Sequence, residues 1–167
     1  MPDPVSINPE RIIKILAKHN VQYVLIGALA ARLQGFPRLT ADADITPVFD
    51  SENLNQLAKA LTKLDAHVFT ESVPKGLAFE CTAENLQQAN LWNFVTSAGR
   101  LDVAFEPAGT TGYDDLISNA VKFEVYGTDL YAASLEDIIR SKKAADRPQD
   151  QQDIIILREI IRRRKSD

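Results

Sequence analysis

The order of helical and strand-forming segments is the feature that most limits how this chain can fold. Asn8 followed by Pro9 is typical of a helix start. The β-branched and aromatic run at 22–26 predicts a buried strand that stops at Gly27. The further predicted elements, in chain order, are a short helix at 28–33, a strand at 42–48, a helix at about 52–64, strands at 91–95 and 101–105 joined as a hairpin through 96–100, a helix at 114–120, strands at 123–126 and 130–132, a helix opened by Ser134 and a last helix at 150–164. This order predicts an α/β (α+β) fold in which helices flank a mixed β-sheet.

The chain fits a single domain. Its 167 residues and 45% hydrophobic content suffice for a core, with a core part at about 20–106 and a C-terminal helical part at about 134–165. One cysteine excludes an intramolecular disulfide, and two distant histidines exclude the common zinc spacings. No apolar run is long enough for a bilayer, and the N-terminus lacks a secretory pattern, so we expect a cytoplasmic protein with no membrane partner.

Two carboxylates lie two residues apart in the predicted strand at 42–48. Side chains alternate between the faces of a strand, so Asp42 and Asp44 point the same way, while Ala43 and Ile45 suit the core. Such a pair can converge on a hard cation, and Mg²⁺ prefers oxygen ligands. The alternative is that the alternation is the solvated polar face of a half-exposed strand.

A third carboxylate follows in the predicted hairpin. Asp102 lies opposite the apolar residues of its strand and shares its face with Glu106. If this strand neighbours the strand of Asp42 and Asp44, the three carboxylates form one site. Clustered carboxylates repel one another, so such a site persists most naturally when cations neutralise it.

Gly27 and Ala28 follow a buried strand and open a short helix. This position leaves backbone N–H groups and the positive end of a helix dipole available to a phosphate. Glycine also allows close approach of a ligand to the backbone. Packing at the helix start explains the same pair of residues equally well.

The combination of these motifs resembles the nucleotidyltransferase fold of DNA polymerase β-like enzymes. The matching pattern is Leu-Ile-Gly-Ala at 25–28, Asp-Ala-Asp-Ile at 42–45 and Leu-Asp-Val at 101–103. The strings at 35–44 and 135–153 are similar to the branch that includes the AbiEii-type toxins of abortive-infection and type IV toxin–antitoxin systems. The resemblance covers roughly residues 20–48, 90–106 and 134–157.

The resemblance implies a minimal polymerase β-like fold and Mg²⁺-dependent transfer of an NMP from an NTP, with Mn²⁺ as an alternative ion. Asp42 and Asp44 would bridge two ions, and Asp102 would serve the ion nearer the attacking oxygen and help to take its proton. The amides of Gly27 and Ala28 would hold the phosphates. Position 28 more often carries Gly or Ser in the family, so alanine removes a hydroxyl contact to phosphate.

Further cations of the chain are candidates for nucleotide contact. Arg38 either touches phosphate or is an ordinary surface arginine. Lys142 lies at the edge of the apolar face of its predicted helix, whereas Lys143 lies further round towards solvent, so we expect Lys142 to reach the triphosphate. Arg147, Asp150 and Asp153 are further candidates for nucleotide binding, and the two carboxylates, one helical turn apart, would orient Lys142 or Arg147. An amphipathic lysine that covers apolar surface with its stem is the alternative.

The acceptor is open between three possibilities. The first is an RNA such as the acceptor end of tRNA, which suits a toxin with an antitoxin partner. The second is a protein hydroxyl in an AMPylation-type reaction. The third is a silent binding module, which has no acceptor. A basic C-terminus favours RNA, although cations at a helix end also complement its dipole. The basic residues are Arg158, Arg162, Arg163, Arg164 and Lys165. The sequence indicates no oligomeric state.

Overall fold

The structure of the protein, a computed structural model, describes residues 6–166. The helices are α1 Pro9–Lys18, α2 Gly27–Leu33, α3 Ser51–Lys63, α4 Ala83–Leu86, α5 Tyr113–Ile117, α6 Leu135–Ala145 and α7 Pro148–Ser166. The strands are β1 Tyr23–Ile26, β2 Asp42–Pro47, β3 His67–Val68, β4 Leu91–Thr96, β5 Gly99–Ala104, β6 Val121–Val125 and β7 Thr128–Ala132. None of the helices within residues 6–166 is long and apolar enough to cross a membrane.

The seven strands form one mixed sheet in the order β3-β4-β5-β2-β1-β7-β6. β1 runs parallel to β7 and β2 parallel to β5, and the other neighbours are antiparallel. The predicted mixed sheet with flanking helices is confirmed. β2 lies between β1 and β5, so the end of β1 and the polar face of β5 both adjoin the face of β2 that carries the Asp pair.

The predicted alternation of faces is present in β2 and β5. The side chains on one face of the two strands are buried in the core, with at most 1% exposure: Ala43, Ile45, Leu101 and Val103. The intervening carboxylates are only partly buried. One face of these strands therefore contributes to the core, and the other is left free for a site.

Side-chain caps begin α1, α3, α4 and α6, and those at Asn8 and Ser134 are the helix starts that the sequence predicts. The side chains of Asn8, Asp50 and Ser134 accept hydrogen bonds from backbone amides three residues on, at 3.1, 2.7 and 3.1 Å. Each such cap stabilises its helix by about 1 kcal/mol. α7 begins at Pro148, two residues before its predicted start, because proline suits the first turn of a helix.

The two hairpins are tighter than predicted. The connection expected at 96–100 is wrong, since Thr96 pairs with Gly99 and only two residues form the turn. Gly99 takes a φ of +103°, and the Thr96 hydroxyl donates to its carbonyl at 2.7 Å. Tyr126, expected in a strand, lies in the β6–β7 turn with Gly127 at φ values of +54° and +72°. Positive φ at both central residues matches the twist of a hairpin, and nothing in the residue type of tyrosine indicates it.

Two other regions depart from their expectations in small ways. α5 is shorter than the predicted helix at 114–120, and the hydroxyl of Ser118 donates to a carbonyl of its last turn at 2.8 Å. Such side-chain bonds compete with continuation of a helix. Residues 66–88, for which no element was predicted, contain the short β3 and α4.

Candidate active site

Asp44 and Asp102 face each other across neighbouring strands. They are direct partners in the parallel register of β2 and β5, so that their carboxyl groups lie side by side. The pKa of Asp44 is raised to about 7, first by burial and then by the negative charges of Asp102 and Asp42. The sheet register therefore crowds like charges where burial already penalises them.

The negative charge of Asp102 is only partly compensated by neighbouring groups of the protein. Burial raises its pKa, while the guanidinium of Arg100, 3.6 Å from Asp102 Oδ1, lowers it. That Oδ1 is buried and has no hydrogen-bond partner. A buried acceptor without a donor destabilises the folded state by about 1–3 kcal/mol. This oxygen is therefore a ready ligand for a cation.

The carboxylates fit a divalent cation in chemistry, although they are not gathered into a closed cage. Within residues 6–166, no three Asp, Glu, His or Cys side chains form a group that could hold a metal ion. Asp42 is rooted about 7 Å along the strand from Asp44, and Asp44 is the register partner of Asp102. Carboxylate oxygens are the ligands that Mg²⁺ and Mn²⁺ prefer, and the orphaned oxygen of Asp102 favours such an ion.

Gly27 brings the start of α2 directly onto Asp44. Its φ is +70°, and a Cβ at this position would overlap the Oδ2 atom of Asp44. Only glycine fits both constraints. The N-terminus of α2 has no side-chain cap, so the amides of Gly27 and Ala28 are not occupied by a capping side chain. They lie beside the carboxylates.

A network of ion pairs forms the opposite wall, and we call it the cation wall. Lys142 Nζ lies 3.3 Å from Asp150 Oδ1 and 3.1 Å from Asp153 Oδ2. Arg38 Nη2 lies 2.8 Å from Asp153 Oδ1, and Arg147 Nε lies 2.9 Å from Asp150 Oδ2. Three cations therefore share two buried carboxylates, which leaves an excess of positive charge.

The members of the cation wall differ in exposure. The side chain of Lys142 is 14% exposed, whereas Lys143 is exposed to solvent, so the predicted difference between the two lysines is confirmed. The side chain of Arg147 is 72% exposed. The positive charge of Arg147 is also among the influences that lower the pKa of Asp44. Arg147 therefore acts across the cleft on the carboxylates.

A single cleft of about 890 Å³ separates the carboxylates from the cation wall. Every residue that the sequence proposed for catalysis, nucleotide binding or metal binding lines it: Gly27, Ala28, Arg38, Asp42, Asp44, Asp102, Lys142, Arg147, Asp150 and Asp153. The fold thus brings together segments that are more than 100 residues apart in the chain. The individual roles of these residues stay predictions.

The cleft also contains residues that sequence reasoning missed. Asp137 and Ser141, one turn apart on α6, line it together with Asn90. Asp137 is buried, and Arg140 Nη2 donates to its Oδ1 at 3.1 Å. The sequence signal was the spacing of Asp137 and Ser141 on the same helix as Lys142. The spacing of Ser134 and Asp137 also fits a capping box, which explains Asp137 without a site.

The basic C-terminal residues lie outside the cleft. Arg162 and Arg163 pair with Glu159 and lower its pKa to about 2. Arg164 Nη2 donates to the carbonyl of Gln34 at 2.6 Å. At 1.5 Å per residue, Arg162 lies about 18 Å along α7 from Asp150. The basic end of α7 is therefore a separate surface.

Comparisons with known proteins identify a family and a fold for the chain. A family model described as "Nucleotidyltransferase of unknown function (DUF6036)" matches residues 9–163. The lincosamide antibiotic adenylyltransferase LnuA, solved with lincomycin bound, is 13% identical with a TM-score of 0.61, over 93% of this chain and 99% of LnuA. The antibiotic-resistance factor ANT(2'')-Ia is 17% identical with a TM-score of 0.53, over 95% of this chain and 91% of its own. At these identities the likeness shows the fold. No curated protein sequence matches the chain.

Proposed function

The chain belongs to the nucleotidyltransferase family DUF6036, and on this premise we propose that it transfers a nucleoside monophosphate from an NTP to an acceptor hydroxyl. The observation that carries the proposal is the cleft, which joins a carboxylate face, an uncapped helix start and the cation wall. An acidic face suits metal-assisted phosphoryl chemistry, and a cationic wall suits a triphosphate.

The donor lies between α2 and the cation wall in this proposal. The amides of Gly27 and Ala28 bind phosphate oxygens, and Lys142 and Arg147 neutralise the leaving pyrophosphate. Arg38 contributes to the same wall through Asp153. Nucleotidyltransferases generally use divalent metals. Here Asp42, Asp44 and Asp102 would hold Mg²⁺, which when bound supplies charge neutralisation and a lower pKa for the attacking hydroxyl.

The transfer itself is a displacement at phosphorus. The acceptor oxygen forms a bond to the α-phosphorus, and the bond between that phosphorus and the bridging oxygen to the β-phosphate breaks. Pyrophosphate carries away the bonding electron pair. Asp102, whose Oδ1 has no donor of its own, is placed to take the proton of the acceptor hydroxyl.

RNA is the acceptor that the sequence favours, with a tRNA-like end as the specific hypothesis. The basic last turns of α7 support it, because their side chains remain exposed at the surface, and exposed salt bridges are weak enough to be exchanged for phosphate. A toxin role with an antitoxin partner extends this hypothesis through the resemblance to AbiEii-type proteins, which the family match does not include.

A small molecule is the second candidate acceptor. The observation that favours it is the likeness to LnuA, a chain of similar extent that was solved with lincomycin. A protein hydroxyl remains a third class, and a silent binding module is the alternative to all three.

Labelled NTPs test the proposal directly. The pure protein would be incubated with each α-labelled NTP and Mg²⁺, together with total tRNA, cell lysate or lincomycin. We expect label in one acceptor fraction and none when Asp44 is replaced by Asn. Binding of NTP without transfer to any fraction would instead favour the silent module.

A further inference from the structure

A second cavity of about 600 Å³ opens beside the cleft. It lies over the ends of β2 and β5 and against the start of α5, and it is lined in part by Phe49, Phe105 and Tyr113. Asn90 and Glu106 line both this cavity and the cleft. The two spaces therefore meet at this pair of residues. No predicted site residue lines the second cavity.

The cavity has a fixed aromatic wall. Phe49 is 55% exposed, so its ring is available to a ligand in the cavity. Its ring makes an edge contact with the buried ring of Phe105, with centroids 4.8 Å apart and an interplanar angle of 73°. This contact stabilises the exposed ring in one orientation. A ligand in the cavity therefore meets an aromatic surface.

The charged residues of the cavity are all acidic. Asp50, Glu106 and Asp114 line it, and none of its described lining residues is Lys, Arg or His. Asn90 binds the backbone of Glu106 on both sides, accepting from its N–H at 2.8 Å and donating to its carbonyl at 3.2 Å. Within residues 6–166 the Glu106 carboxylate has no ion-pair partner within 4.0 Å. This carboxylate is therefore held at the junction of the two spaces and is free to bind.

The cation wall and the second cavity are opposite in charge, although the cleft as a whole is lined by more Asp and Glu than Lys and Arg. The cation wall adjoins the end of β1, where Gly27 begins α2, and the acidic cavity adjoins the ends of β2 and β5. A triphosphate is attracted to the first and repelled by the second. The acidic cavity is therefore left for the other substrate. A chain of phosphates in this cavity would meet three carboxylates.

Strand geometry also limits the size of that substrate. Glu106 lies four residues beyond Asp102, and because β5 ends at Ala104 their Cα atoms are at most about 13 Å apart, at roughly 3.3 Å per extended residue. A molecule that pairs with Glu106 and presents a hydroxyl near Asp102 spans a distance of this order. That span suits a compact molecule of a few rings.

We propose that the second cavity is the acceptor subsite, and that the acceptor is a small hydroxylated molecule with a protonated amine and an apolar part. The amine pairs with Glu106 and lies near the ring of Phe49, while the hydroxyl extends into the cleft towards Asp102. Cation–π contact and a charge-assisted bond both act on the same ammonium group. This assignment of a substrate class rests on the proposed nucleotidyl transfer.

Binding of two matched probes tests the subsite without catalysis. The full chain would be titrated with tyramine and with tyrosol, which keeps the phenol and replaces the ammonium by a hydroxyl. We expect tyramine to bind about two- to fivefold more tightly, the size of one exposed cation–π or charge contact. Glu106→Gln should remove this preference and leave tyrosol unchanged. Phe49→Ala should weaken both probes.

Two surface variants serve as controls. Glu124→Gln on β6 and Tyr126→Ala in the β6–β7 turn remove the same chemical groups far from the cavity, and both should bind the probes like the wild type. Melting temperatures of all variants show whether each is folded, and Phe49→Leu replaces Phe49→Ala if the latter is not. Equal binding of the two probes, or an unchanged preference in Glu106→Gln, would overturn the proposal.

Titrations with RNA and with ATP distinguish an RNA subsite and a failure of the proposed transfer from the amine subsite. A single-stranded RNA of sequence ACCA that binds more tightly than tyramine, and loses affinity in Phe49→Ala, would assign the cavity to an RNA end and overturn the amine. ATP with Mg²⁺ would be titrated separately, with Asp44→Asn as its comparison. ATP binding without probe selectivity rejects only the subsite. Probe selectivity without ATP binding contradicts the proposed transfer, and the acceptor role fails with it.

Discussion

The carboxylate face of the sheet and the cation wall of α6 and α7 are both charged, but they satisfy their charges in opposite ways. On the sheet, Asp44 and Asp102 are forced together by strand register and one oxygen is left without a donor. On the helices, Lys142 lies between Asp150 and Asp153, and each carboxylate also meets an arginine. The first region is destabilised until a cation arrives, whereas the second is already arranged.

This difference separates the effects of substitution on activity from the effects on stability. Removing charge from the carboxylate face relieves repulsion, so the metal-free fold should gain stability while chemistry is lost. Removing charge from the cation wall leaves buried carboxylates with fewer partners, so the fold should lose stability together with nucleotide affinity.

The largest expected effect is that of Asp44→Asn. Transfer should fall by at least about a thousandfold, because the residue is proposed to hold metal at the reacting phosphate. The melting temperature without metal should rise by a few degrees, since the most strongly repelled carboxylate is gone. Label transfer and thermal melting with and without Mg²⁺ measure both. Asp129→Asn on β7 is the control, and full activity in Asp44→Asn would refute the metal assignment.

Lys142→Met compared with Lys143→Met should give the next largest effect. Methionine keeps the stem and removes the charge. NTP affinity should fall by about 1.5–3 kcal/mol for Lys142 alone, the size of a charge-assisted hydrogen bond. Lys142→Met should also lower the melting temperature, because Asp150 and Asp153 are buried. Equal and small changes at both lysines would mean that the cation wall is structural only.

The pH dependence of stability should distinguish the two regions further. The pKa of Asp44 rises from 3.8 to about 7 on folding, so the folded protein favours its neutral form. That contribution is fully present below pH 3.8 and is lost as the pH rises through 7. The metal-free protein should therefore melt at a lower temperature at pH 8 than at pH 5.5. Asp150, whose pKa is lowered, acts in the opposite direction only below about pH 4.

Three measurements check this assignment. Asp44→Asn should flatten the pH dependence between 5.5 and 8, and Mg²⁺ should raise the melting temperature more at pH 8 than at pH 5.5. A wild-type protein that is equally stable across this range would show that Asp44 is not the group that titrates.

The sequence predicts the carboxylate face better than it predicts the cation wall's geometry or the acceptor side. Strand alternation places Asp42 and Asp44 on one face from local spacing alone, and a single strand pairing adds Asp102. Contacts of Lys142 with Asp150 and Asp153 required the angle between α6 and α7, which no local pattern contains. The second cavity depends on Phe49, an isolated aromatic residue whose exposure only the packed fold reveals. The turn at Tyr126 was missed because tyrosine seldom takes a positive φ.

The smallest expected effect is on RNA affinity and concerns the C-terminal end of α7. The cations there already have hydrogen-bond or ion-pair partners, as those of the cation wall do. Arg162 and Arg163 share Glu159, and Arg164 donates to a carbonyl. If RNA is the acceptor, replacing the three arginines by Gln should lower the slope of log affinity against log salt by about one unit for each lost phosphate contact. Replacing Lys14, Lys59 and Lys63 by Gln changes the net charge equally and should leave the slope unchanged.

An equal response in the two triple variants would mean that overall charge, rather than the basic end of α7, attracts RNA. An unchanged slope in both would leave the arginines as a helix end that complements its own dipole, and the acidic cavity would then be the better guide to the acceptor.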